Sequence, residues 1–300
     1  MDVLVRESPG ELPATGGVAI RAARHEDWRD CGRICYEAFA TVARKHGFPP
    51  DFPTVESAAD PIRALIDHPG FHGVVAEASG RIVGSSFLDE RSLIGAIGPV
   101  TVDPAAQDAG IGRALMTAML DRVAATGRPG VRLVQIAYHN RSLSLYTKLG
   151  FDVKASFAAM YGPPIGVHLR GYTVRQASLC DLPACEALCV RVHGFSRAAE
   201  LREAIDAGQA RVVERLGRIT GYTCGVQYWT HSVGATTDDL KALIGAGTDY
   251  GMPGFLVPVG DGELFRWCLD NGLRVYFETN LMTVGFYQQP SGAYFPSVGM

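Results

Sequence analysis

Apolar residues recur every four positions at Ile111, Leu115, Met119 and Val123, the interval of one buried helix face. Ahead of them, residues 94–102 form an apolar run that reads as a strand, closed by the turn Val102-Asp103-Pro104. Gly127-Arg128-Pro129-Gly130 then breaks the helix, and residues 131–137 read as the next strand. Asn140 is a capping residue and Gly150 suits a left-handed stop, so a second helix is predicted between them. Val74-Val75-Ala76-Glu77 and Gly80-Arg81-Ile82-Val83-Gly84 flank a tight turn, the pattern of a hairpin. Strands alternating with amphipathic helices predict an α/β chain.

The pattern repeats. Ile20-Arg21-Ala22-Ala23 followed by Asp27, Cys31, Cys35 and Phe39 is matched 154 residues later by Val174-Arg175-Gln176-Ala177, Asp181, Cys185, Cys189 and His193. A second hairpin pattern, Val212-Val213-Glu214 and Gly217-Arg218-Ile219-Thr220-Gly221, mirrors the first. Two such starts predict tandem copies of one fold. The expected division is a flexible arm at residues 1–17, a first domain at 18–160, a linker at 161–171 and a second domain at 172–300. Residues 223–233 read as further strands of the second copy.

Composition narrows the class. A chain of 300 residues can bury two ordinary cores. The net charge of −3, with both signs mixed and no basic run, argues against a nucleic-acid partner. No stretch approaches the roughly 20 apolar residues of a membrane span, and Asp2, Arg6 and Glu7 ahead of Pro9 do not build a signal peptide. Seven cysteines lack any CxxC pair. Cys31 with Cys35 and Cys185 with Cys189 lie four apart on predicted helices without histidines at metal spacing, so they read as buried thiols and no metal is expected. Reduced thiols predict a cytoplasmic setting.

The chemistry concentrates in Gln107-Asp108-Ala109-Gly110-Ile111-Gly112-Arg113, between a strand and a helix start. Helix-start amides lack intrahelical partners and carry partial positive charge, and glycine removes the side chains that would hold a phosphate away. The loop therefore reads as a pyrophosphate cradle formed by the backbone from Asp108 to Arg113. The third glycine of a dinucleotide fingerprint is missing, and so is the Gly-Lys-Ser/Thr ending of a triphosphate loop. A plain tight turn entering a helix remains the alternative.

This Q-x-x-G-x-G loop, its helix, the strand at 131–137 and the ending Leu145-Tyr146-Thr147-Lys148-Leu149-Gly150-Phe151 together resemble the GNAT superfamily of N-acetyltransferases in order and spacing. The resemblance implies an α/β fold of mixed sheets: two tandem GNAT-like domains, each a mostly antiparallel twisted sheet flanked by helices, with a splayed parallel strand pair in the first. It implies acetyl-CoA as cosubstrate, held by Gln107, Asp108, Ala109, Gly110, Ile111, Gly112 and Arg113. Gly98-Pro99 interrupts a central strand, and a bulge is the simplest accommodation of that proline. By resemblance the bulge splays two strands, and the backbone of Val100, Thr101 and Val102 bonds the pantetheine arm. Tyr146 would be the general acid that protonates the departing thiolate. The family's cofactor-side asparagine stands seven residues before this tyrosine; here His139 holds that place and Asn140 follows it, so both are cofactor-side candidates.

For the general base, Glu90 is the first choice, with Asp89 beside it at the end of the predicted third strand and His139 as a further candidate. An amine of pKa about 10.4 needs roughly 4–5 kcal/mol to lose its proton at neutrality. Tyr36, Phe39, His46, Phe48 and Phe52, with Tyr228, Trp229 and His231 from the second half, are candidates for the acceptor cleft. The second copy lacks the glycine loop, and Asp238 and Asp239 at its helix start would repel a pyrophosphate. Cys268 stands where Tyr146 stands if Gly272 matches Gly150. Catalysis is expected in the first half, with the second stabilising it, walling the cleft or mediating a homodimer. The chain thus reads as an acyl-CoA-dependent N-acyltransferase acting on a small-molecule amine, without nucleic-acid or membrane partners. Its alternatives are a protein lysine or N-terminal acetyltransferase, and a non-catalytic acyl-CoA-binding or regulatory protein.

Overall fold

The computed structural model describes residues 17–298, so the expected arm at 1–17 lies outside it except for Gly17. The first half runs β1 (Val18–Ala22), α1 (Trp28–Lys45), α2 (Val55–Asp67), β2 (Phe71–Ala78), β3 (Arg81–Asp89), β4 (Gly95–Val102), α3 (Ile111–Ala125), β5 (Gly130–Ile136), α4 (Asn140–Lys148) and β6 (Asp152–Tyr161). The second runs β7 (Thr173–Gln176), α5 (Leu182–His193), α6 (Ala198–Asp206), β8 (Arg211–Arg215), β9 (Arg218–Thr223), β10 (Ser232–Gly234), α7 (Thr237–Gly245), β11 (Phe255–Pro258), α8 (Gly262–Asp270), β12 (Arg274–Gly285) and β13 (Ala293–Phe295). Residues 224–231, expected as strand, are instead the loop between β9 and β10.

Strands form an eight-stranded sheet in the order β1-β2-β3-β4-β5-β12-β6-β11 and a five-stranded sheet in the order β13-β10-β9-β8-β7. All pairs are antiparallel except β4 with β5. Alternation across β2 builds both layers of the first half. Val74 and Ala76 pack with Leu88 and Ile97 under Ile111, Leu115, Met116 and Met119 of α3. Val75, with Phe87, faces Cys31, Cys35 and Ile62 of α1 and α2. Cys31, Cys35, Cys185 and Cys189 are buried free thiols, as their spacing predicts. Gly84 brings α3 and β4 close: a Cβ there would meet the Thr101 carbonyl at 2.8 Å and Leu115 at 3.1 Å.

The repeat is built into both halves. Arg21 pairs with Asp27 at 2.7 Å and Glu77 at 2.8 Å. Arg175 repeats this with Asp181 and Glu214, each at 2.7 Å. Each hairpin turns through two residues of positive φ, Ser79 and Gly80 in one and Leu216 and Gly217 in the other.

The sheets, however, do not divide at residues 161–171. β12 lies between β5 and β6, with Asn280 opposite both Gln135 and Ser156, and β11 extends the same sheet beyond β6. Residues 18–160 therefore lack the strand that joins β5 to β6. Local periodicity shows that 274–285 is extended but carries no record of which sheet receives it. No helix among the described residues is long and apolar enough to cross a membrane.

Candidate active site

Two β4 residues, Gly98 and Pro99, face the single β3 residue Phe87, because Leu88 pairs with Ile97 while Ser86 pairs with Val100. This is the bulge that the proline requires. It reverses side-chain parity, so that Ile97, Val100 and Val102 all pack against the α3 core. β4 touches β5 only through Gly95 with Val131 and Ala96 with Arg132. Beyond the bulge one edge of Val100, Thr101 and Val102 pairs with β3 and the other faces a gap.

The loop beyond β4 delivers the chain to α3. Asp103 caps a short turn by accepting from the Ala105 amide at 2.9 Å. Asp108 and Gly110 both have positive φ, at 72° and 79°. The helical ladder starts at the Ala114 amide, bonded to the Gly110 carbonyl at 3.0 Å, which leaves the amides of Ile111, Gly112 and Arg113 outside the ladder. Ala109 and Gly110 are exposed and Ile111 anchors the turn in the core. A Cβ on Gly112 would touch Leu145 of α4 at 3.4 Å, so glycine keeps the space between the two helices open. These features suit a pyrophosphate: free amides, a helix dipole and no intervening side chain.

The start of α4 forms the opposite wall. Arg141 donates from Nη1 to Gln107 Oε1 at 3.0 Å and from Nη2 to Asp108, spanning the mouth of the slot. Nothing in local pattern marks this arginine; only the fold sets its charge beside the loop. His139 is the residue preceding α4, and Asn140, expected as its cap, is instead its first, exposed residue. Gln135 donates to the His139 carbonyl at 3.0 Å and Ser142 Oγ at 3.1 Å, fixing the first turn of α4. Gln135 Oε1 in turn accepts from Asn280 of β12 at 3.0 Å. A strand from the second half thus holds the helix that walls the slot.

Tyr146 faces the α3 core, its ring 6.1 Å from Phe151. Gly150 takes positive φ and the Phe151 amide bonds back to the Tyr146 carbonyl at 3.0 Å, closing the helix. Burial pushes the Tyr146 phenol up to about 12, so it carries its proton at neutral pH.

Glu90 is placed elsewhere. Arg122, in the last turn of α3, binds it through two hydrogen bonds of 3.0 Å, and Arg128 approaches to 3.9 Å. Those bonds hold its carboxyl below the usual range. Arg122 lies roughly 16 Å along α3 from the amide cradle. Glu90, expected as the base, is thus held in an ion pair at the end of β3. Asp89 is bound by Arg91, with Nη2 to Oδ2 at 2.6 Å. His139 does border the slot, but burial and the charges of Arg141, His46 and Lys45 push its imidazole down to about 4.

On the opposite face of the sheet, Phe48 stacks on Tyr138 with ring centroids 4.5 Å apart, and Phe52 lies near Trp229 at 6.4 Å. His46 packs on Tyr138 at 5.2 Å, and Phe39 packs on Phe52 at 6.3 Å. Tyr36 lines a groove of about 410 Å³ with Thr41, Arg44, Pro50 and Asp103 to Ala105. His231 is not part of this surface: it is buried in the second half between Tyr222, at 3.0 Å, and Glu200, at 3.3 Å.

The corresponding helix of the second half is closed to anions by its own sequence. Asp239 accepts from the Thr236 amide and hydroxyl, both at 2.8 Å, in a capping box at the start of α7. Cys268 is a buried thiol inside the core of that half.

Residues 69–153 match the family model described as an acetyltransferase (GNAT) domain. Mycothiol acetyltransferase of Amycolatopsis mediterranei is 38% identical over 110 residues, 33% of this chain. The match spans only 35% of that relative's length. A putative acetyltransferase of Pyrococcus horikoshii superposes with a TM-score of 0.74 over 98% of this chain and 99% of its own, at 15% identity. A tandem GNAT protein of the clavulanic acid biosynthesis pathway gives a TM-score of 0.50 over 89% of this chain and 98% of its own, at 14% identity. At these identities the structures establish likeness of fold.

Proposed function

We propose that this chain, whose residues 69–153 match the acetyltransferase (GNAT) domain model, transfers an acetyl group from acetyl-CoA to the amine of a small molecule by direct attack in a ternary complex. Three features support this reading: the amides of Ile111, Gly112 and Arg113 outside the helical ladder, the parting of β4 from β5, and Tyr146 of α4 packed against the core that contains Ile111.

The residues fit the cosubstrate. The amides of residues 111–113 and the Arg113 and Arg141 guanidinium groups would hold its phosphates, and the free edge of Val100 to Val102 would bond its arm. When bound, acetyl-CoA supplies an activated acyl carbon and a thiolate leaving group. The amine must arrive neutral, so its proton passes to solvent or to a side chain before attack. The new N–C bond forms as the C–S bond breaks, and the Tyr146 hydroxyl gives its proton to the sulfur. That phenol is then restored by the proton the nitrogen sheds.

A relative over this region carries the name mycothiol acetyltransferase, which supports the small-molecule reading. One observation favours a second reading, a CoA-binding protein without turnover: Glu90 is committed to Arg122 and His139 is a weak base. Turnover of acetyl-CoA separates the two.

The cradle itself is tested by calorimetry with CoA. Native protein should bind saturably, and Gly112→Asp, which sets bulk and negative charge beside Leu145, should weaken binding by about a hundredfold or more. Unchanged affinity in the variant would remove the loop assignment.

A further inference from the structure

Among the described residues two arginines are buried, Arg132 of β5 and Arg197 just ahead of α6. A guanidinium presents Nε–H and one Nη2–H side by side, a planar fork that fits the two oxygens of a carboxylate. Arg197 uses that fork on Glu200, with Nε to Oε1 at 2.8 Å and Nη2 to Oε2 at 2.6 Å. Arg122 uses it on Glu90, and Arg91 uses it on Asp89. At Arg132 the same two nitrogens are sealed from solvent and donate to nothing among the described residues.

The neighbours of Arg132 come from both halves. On one side of β5 it pairs with Ala96, the last position at which β4 and β5 meet before they part. On the other side Thr283 of β12 stands directly opposite, so the two side chains share one face of the sheet. Thr283 is also buried, and its hydroxyl has no partner either. Phe195, between α5 and α6, covers the guanidinium plane, with Cζ 4.3 Å from its ring centroid. Behind Phe195, His193 packs on it at 6.0 Å and on Tyr294 of β13 at 5.2 Å.

Stacking satisfies the face of a guanidinium but leaves its in-plane donors unused. A charge so enclosed has lost hydration and gained no acceptor in exchange. One positive charge matches a monoanion, a planar fork matches a planar oxyanion, and the close cover of Phe195 restricts it to a few atoms.

We propose that the fork of Arg132, together with the Thr283 hydroxyl, is a binding site for a small carboxylate of the formate or acetate class, held between the two halves of the chain. Its oxygens accept from Nε and Nη2 as those of Glu200 accept from Arg197. The Phe195 segment shifts to admit the ion and closes over it. This site is separate from the amide cradle and stands whether or not the chain transfers acetyl groups.

The test is thermal unfolding of the full chain with sodium formate or acetate replacing sodium chloride at constant ionic strength. Native Tm should rise saturably by about 2 °C or more with at least one of the two. Arg132→Met, which removes the charge, and Arg132→Lys, which keeps the charge without the fork, should both lose that rise. Thr283→Val should keep part of it. A native crystal soaked in the same salt should show planar density within about 3.2 Å of both fork nitrogens. No saturable rise in native protein, an equal rise in either Arg132 variant, or a soaked crystal with the fork unoccupied would each overturn the assignment.

Discussion

Arg122 holds Glu90 through two parallel hydrogen bonds, Nε to Oε1 and Nη2 to Oε2, each 3.0 Å long. The pair ties the end of α3 to the end of β3, at the far end of the helix from its free amides. A carboxylate so bound is a weak base. Glu90→Gln should leave kcat within about threefold of native and cost about 1 kcal/mol or less of stability. Steady-state kinetics beside thermal melts would decide, and a loss of two orders of magnitude in kcat would return Glu90 to the chemistry.

Asn280 belongs to the second half yet supports the first, through Gln135, at the start of α4. Asn280→Leu leaves Gln135 Oε1 without its donor, at a cost of about 1–3 kcal/mol. The expected result is faster hydrogen exchange in the first turn of α4 and a raised KM for acetyl-CoA, with kcat less affected. Unaltered exchange there would show that the helix start is held by other contacts.

Burial pushes the Asp51 carboxyl up to about 6. An unfolded aspartate titrates near 3.9, so the proton held more tightly in the folded state stabilises it at low pH, and this is lost as pH rises through about 6. Thermal melts between pH 4 and 7 should lose that slope in Asp51→Asn; a slope retained there would assign the titration to another group.

Asp181 shows the opposite case. Arg175 first, then the Ser178 amide and hydroxyl, hold its carboxyl well below the usual range. A depressed carboxyl contributes stability above its unfolded pKa, near 3.9, and loses it as pH falls through the folded value. Asp181→Asn should therefore lower Tm at pH 7, costing about 1–2 kcal/mol, and the gap from native should narrow toward pH 2. Scanning calorimetry at both pH values checks this; a constant gap would place the effect outside the ion pair.

Much of this was legible in the chain because the signals are local. The left-handed turn at Gly110, the four-residue period from Ile111 and the proline at 99 specify a helix start, a helix and a bulge within about 25 residues, and each forms as the pattern predicts. The 154-residue repeat likewise reappears as the paired Arg21–Asp27 and Arg175–Asp181 bridges. What sequence could not convey is long-range placement. The insertion of β12 between β5 and β6 depends on which edges remain open after folding, and a single strand's alternation does not encode that. The ion pair of Glu90 was hidden for the same reason: its strand position was read correctly, but its partner on α3 was invisible. Arg141 went unmarked because an arginine in a helix looks ordinary until its neighbours Gln107 and Asp108 are known.

The central claim is that this slot performs acyl transfer. It is tested most directly by following thiol release from acetyl-CoA across a panel of small amines, antibiotics, polyamines and peptides, in native protein and Tyr146→Phe. The account predicts amine-dependent release that falls by about a hundredfold in the variant while acetyl-CoA affinity stays within about twofold. Full activity in Tyr146→Phe would contradict the proton role of that phenol, and tight acetyl-CoA binding without release to any amine would contradict the enzyme.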